Sequence, residues 1–158
     1  MRVIIASCLV SVVAGCTAKE DRVSSSLMPV QHVSVAIDKP PAEVYAYAAN
    51  PANLPRWAKG LANAPVELEG KNLIVQSPMG RVTVRFSERN THGILDHDVT
   101  LPAGETVHNP MRVLPNAHGS EVVFSVFRRP EVDDKKFRAD TDAVKRDLQA
   151  LKALVEGG

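Results

Sequence analysis

The sequence predicts an α+β domain in which an antiparallel sheet is closed by one long C-terminal helix. Three observations predict it. Residues 31–38 (QHVSVAID) alternate strictly between apolar and polar. Turn signals at 69–71 (EGK), 77–80 (SPMG), 90–93 (NTHG), 101–104 (LPAG) and 116–119 (NAHG) cut 65–129 into short strands. From 133 to 156 the apolar residues Phe137, Val144, Leu148, Leu151 and Val155 recur at helical spacings.

Taken in order, 31–38 reads as a half-buried strand with Val33, Val35 and Ile37 on its inner face. Pro40-Pro41 opens a short helix with Val44, Tyr45, Ala48 and Ala49 on its apolar side, and Asn50-Pro51 ends it. Residues 53–57 (NLPRW) look like a second, very short helix. The five turns make a meander of about six strands, so about seven strands are expected in all. Asp133 is placed to cap the last helix, which at 133–156 would be about 36 Å long.

The chain has 158 residues, one domain's worth, with 44% hydrophobic and 23% charged residues. Its net charge of +1 and few aromatic residues argue against a nucleic-acid partner. Arg81, Arg85 and Arg89 share a strand face without interleaved aromatics and read as a solvated face.

Residues 1–16 (MRVIIASCLVSVVAGC) carry one charge and an apolar stretch too short to span a bilayer, which fits an export signal. Val13-Ala14-Gly15-Cys16 resembles the lipobox of bacterial lipoproteins, in which Cys16 would be acylated and become the new N-terminus. Ordinary cleavage after Ala18 and a buried N-terminal strand or helix are the other readings of the same residues. The expected organisation is a signal peptide at 1–15, a lipid-anchored tether at 16–28 and a domain at 29–158. The tether from Thr17 to Met28, polar and serine-rich, would reach about 20 Å if flexible. With Thr17 after the cysteine, the lipoprotein pattern implies the outer membrane, facing the periplasm. Nothing in the sequence fixes an oligomeric state.

The order of elements, with 34–60 (VAIDKPPAEVYAYAANPANLPRWAKG) and 142–156 (DAVKRDLQALKALVE), resembles the START-like helix-grip superfamily, in its SRPBCC branch of polyketide cyclase/dehydrase-like proteins. That resemblance implies a curved sheet gripping the long helix with a cavity between them. It also implies either carriage of a small hydrophobic ligand, or cyclisation or dehydration by a few polar groups in the cavity.

No GxSxG, HExxH, CxxC, P-loop or GxGxxG pattern occurs, so no cofactor and no metal is expected. His97 groups with Leu95, Val99 and Leu101 on an apolar face, as a structural histidine or a general acid/base of shifted pKa. Asp96 and Asp98 fall on the opposite, solvated face. His108 and Arg112, four apart on what reads as one strand, would share a face; inward, Arg112 would grip a carboxylate or carbonyl, and outward it would be solvated or ion-paired. Trp57 is an anchor for the small helices or part of the cavity mouth, and Met79 and Met111 are filler or adaptable lining. The leading expectation is a membrane-tethered binder or carrier of a small hydrophobic ligand. A cyclase/dehydratase using His97 and Arg112, and a structural or interaction module of the envelope, are the alternatives.

Overall fold

The computed structural model describes residues 27–158. The expected signal peptide, Cys16 and the tether up to residue 26 lie outside them.

Strand β1 (Val30–Ile37) buries Val33, Val35 and Ile37 on one face, following its alternation. Helix α1 (Pro41–Ala48) begins with Pro41 in its first turn and buries Val44 and Ala48. The side chain of Asn50 then accepts from the amide of Ala52 and starts a 3-10 turn, Pro51–Asn53, that leads into α2 (Leu54–Trp57). Seven strands follow: β2 (Glu67–Glu69), β3 (Asn72–Ser77), β4 (Gly80–Phe86), β5 (His97–Thr100), β6 (Thr106–Asn109), β7 (Met111–Asn116) and β8 (Gly119–Phe127). Helix α3 (Asp134–Glu156) is capped by Asp133, whose carboxylate accepts from the amide of Lys136 at 2.7 Å. Such a cap contributes about 1 kcal/mol.

The strands form two antiparallel sheets, β1-β8-β7 and β2-β3-β4-β5-β6. Eight strands thus stand where about seven were expected, and the difference lies at one residue. The segment carrying His108 and Arg112 is not a single strand: Pro110 divides it into β6 and β7, which belong to different sheets. Proline has no N–H to give to a ladder and a fixed φ, so the ladder breaks there and the chain passes from one sheet to the other. A seam joins the two sheets beside the bend. Ile94 bridges Arg112, the amide of Leu95 donates to Met111 O at 2.9 Å, and the amide of Val113 donates to Gly93 O at 2.8 Å.

Helix α3 lies across β1, burying Leu148, Leu151 and Val155 in the core shared with Val35, Ile37 and Val122. Its end is fastened to the end of β1. Lys152 Nζ donates to Ala36 O at 2.7 Å, and Glu156 accepts from the amide of Asp38 at 2.7 Å. The first half of α3 lifts away from the sheet, and the space beneath it is the site.

Candidate ligand cavity

That space is a cavity of about 1340 Å³, partly open to solvent. Val99, Leu101, Val107, Phe124 and Val126 form its sheet wall, and Phe137, Val144 and Ala150 of α3 face them. Trp57 and Leu61 close one side, and the turn carrying Met79 stands at the rim. At its inner end is a recess of about 40 Å³ bordered by Trp57, His97, Asp147 and their apolar neighbours Phe86, Phe124 and Leu148.

His97 opens β5 opposite Asn109 and is 6% exposed. Its Nδ1 lies 3.0 Å from Leu95 O. A carbonyl oxygen only accepts, so Nδ1 carries the hydrogen and Nε2 is left as the acceptor. The rings of Phe86 and Phe124 flank the imidazole at 4.7 and 5.8 Å. Burial in this apolar sleeve pushes its pKa down to about 4, outweighing the Leu95 carbonyl, which acts to raise it. His97 is therefore a neutral hydrogen-bonding group at neutral pH.

Trp57 is 4% exposed, and its indole N–H has no acceptor among the described residues. Met79 is 48% exposed on the β3–β4 turn, where Ser77 Oγ accepts its amide and donates to Gly80 O. The remaining candidates lie elsewhere. His108 borders the cavity along the chain, but its imidazole sits on the other face of the sheet, 2.7 Å from Asp98. Met111 is fully buried in the core. Arg112 lies outside the cavity, ion-paired with Asp96 and donating to Met111 O. Asp96, expected to be solvated, also accepts the amide of Met111 and so holds the seam. The in-and-out alternation keeps its phase across Pro110, with Val107, Asn109, Met111 and Val113 on the more buried side, so His108 and Arg112 both point outward and each meets an aspartate, the ion-paired alternative.

Arg112→Gln should therefore leave uptake of an apolar fluorescent dye such as Nile red unchanged. It should lower stability by about 1–2 kcal/mol, because a partly buried carboxylate loses its cation. Dye titration and urea denaturation of the same sample check both halves.

One group in the cavity escaped the sequence reading. Asp147 lies on the inner face of α3 between Val144 and Leu148, and its carboxylate accepts from the amide of Gly60 at 3.0 Å. Burial raises its pKa to about 6, against the lowering effects of the Gly60 amide, Arg146 and Lys59. A Cβ on Gly60 would lie 2.8 Å from Asp147 Oδ2, so a residue without a side chain suits this contact. The signal was present: an acid inside an apolar series at three- and four-residue spacing. Among the described residues no group of three His, Cys, Asp or Glu side chains is arranged to hold a metal ion.

Residues 28–156 match the family described as polyketide cyclase / dehydrase and lipid transport. The chain belongs to this family. No curated protein matches it in sequence. Among solved structures, this family member is similar to protein XoxI from Bacillus cereus, at 18% identity and a TM-score of 0.65, over 81% of this chain and 96% of that one. The Aha1 dimer from Colwellia psychrerythraea aligns at 14% identity and a TM-score of 0.64, over 82% and 97% of the two chains. An aromatase/cyclase from Streptomyces aligns at 16% identity and a TM-score of 0.58, over 82% and 94%. At these identities the likeness is one of fold. The fold is the helix grip.

Proposed function

We propose that this protein binds or carries a small hydrophobic molecule, held to a membrane of the cell envelope through acylated Cys16. Family membership supports a hydrophobic-ligand-binding or cyclase-like role. The observation that carries the binding reading is the cavity itself, about 1340 Å³ with a largely apolar lining beneath α3. A cavity of this size suits a lipid-like or polycyclic guest, and a module with a filled core would have no use for it. The lipobox-like residues before Cys16 and the polar stretch after it support the anchor. In this reading the domain faces the periplasm from the outer membrane.

A cyclase or dehydratase is the second reading. It is favoured by two titratable groups bordering one recess, His97 pushed down to about 4 and Asp147 pushed up to about 6. Opposed shifts of this kind suit a base and an acid working on one substrate.

Native mass spectrometry of the protein purified from its host tests the binding reading. A co-purifying lipid-like mass, with Nile red uptake once it is extracted, is the expected result. A protein that is empty as purified and takes up no dye would overturn it. For a carrier, His97→Gln should weaken ligand binding by about tenfold, the loss of one hydrogen bond, and the ligand should stay chemically unchanged. Loss of conversion by about 10²–10⁴ with binding intact would instead establish the enzyme.

A further inference from the structure

Met28, Met79 and Phe127 are large apolar residues left 47%, 48% and 39% exposed, and all three border the cavity. They come from separate stretches: the approach to β1, the β3–β4 turn and the end of β8. Leu27, beside Met28, is 92% exposed. Leaving apolar side chains in water at one rim, from segments far apart in sequence, is costly unless something covers them.

The charges around the same cavity are unevenly matched. Arg129 pairs with Glu105 and Glu131, and Lys136 with Asp140. Arg56, Lys59 and Arg146 have no carboxylate partner among the described residues, and all three are exposed. Asp147, the acid near Lys59 and Arg146, is turned onto the amide of Gly60. The rim therefore joins an apolar edge to a cationic one, a combination that matches the acyl chains and phosphates of an anionic bilayer.

Chain direction points the same way. Everything before Leu27 enters the domain at this rim, because Met28 borders the cavity. Cys16 is twelve residues before Met28, a separation of about 20 Å if flexible. An anchor there draws the rim, rather than the far end of the sheets, toward the membrane.

We propose that the cavity rim docks on the surface of an anionic phospholipid bilayer. Met28, Met79 and Phe127 enter the interface, while Arg56, Lys59 and Arg146 meet lipid phosphates. The cavity then opens onto the membrane, and a hydrophobic guest passes between the two without crossing water. The proposal takes its anchor and its guest from the function proposed above, but the docking surface has its own test.

Hydrogen–deuterium exchange of the full chain, in phosphatidylglycerol/phosphatidylethanolamine vesicles and in neutral detergent, is that test. On vesicles, amides at 56–60, 79–80 and 127–129 should gain protection, while those at 67–69 and 114–116 should not. Replacing Arg56→Gln together with Lys59→Gln should cut the docked fraction about tenfold, and raised salt should do likewise. A chain that floats with the vesicles while its rim exchanges as in detergent would overturn docking and leave the anchor standing. Rim protection that instead rises with protein concentration without vesicles would mean a second copy covers it, again overturning the proposal. A chain that does not float would overturn docking and the anchor together, and Nile red uptake by that same sample would report separately on ligand binding.

Discussion

Gly93→Ala, a change of one methyl group, is expected to cost the domain about 2–4 kcal/mol. Gly93 sits at φ +69°, where an L side chain is strained by about 1–2 kcal/mol. The larger effect is steric. A Cβ at this position is driven into the backbone carbonyl of Val113, whose own amide donates to Gly93 O. Backbone cannot rotate aside as a side chain can, so the methyl group must part the seam that joins the two sheets. Gly104→Ala is the control: its φ is +90°, yet nothing lies within 4 Å of the added atom. It should show the strain alone. Urea denaturation of the two variants should separate them by at least about 1 kcal/mol, and equal losses would show that the seam yields freely.

Acidification from pH 7 to pH 4 is expected to remove about 3 kcal/mol of stability through His97 alone. Its pKa is about 4 in the folded chain, against an ordinary value of 6.5. Between those values the unfolded chain binds a proton that the folded chain refuses, so stability falls as pH drops from 6.5 toward 4 and levels off below. Asp147 works in the opposite direction. Its folded pKa is raised to about 6, so its contribution is full below the ordinary 3.8 and is lost as pH rises through 6. Partial exposure of its carboxylate keeps that offset small. Stability measured by urea at pH 7, 5.5 and 4 in the wild type and in His97→Gln isolates the histidine. The variant should show a much flatter profile, and parallel profiles would show that the imidazole is charged within the fold.

Where local chemistry decides structure, the sequence was legible. The alternation of Val33, Val35 and Ile37, the prolines before α1 and the Asp133 cap each act within a few residues, and each produced the expected element. The division at Pro110 was legible in principle, since Asn109-Pro110 is a turn signal, but an unbroken reading put His108 and Arg112 on one face. The phase of the alternation survives the bend, so both side chains point outward as one of the two readings had it; what the sequence did not show is that they belong to different sheets and meet different aspartates. The cavity was accessible only through resemblance. Its volume depends on where α3 fails to touch the sheet, and no local pattern encodes a gap. Asp147 was hidden for a related reason: the apolar series around it was read for its hydrophobic members, while the charge among them marks the stretch of helix that lines the cavity.

The pairing of β1 with β8 has a consequence for the life of the chain before it is folded. Val30 finds its partner at Phe127, and α3 lies on β1 from still later in the sequence. Hairpins of the β2–β6 meander can close as they emerge, but β1 has no strand partner until the last strand exists. Such distant closure is slow, and a large loop entropy must be overcome before its contacts reward it. The nascent domain thus stays open until nearly all of it has been made. For the export proposed above, that delay would keep the polypeptide extended long enough to be threaded through a translocation channel. Once β8 has paired with β1, helix α3, made last, packs across β1 and closes the domain.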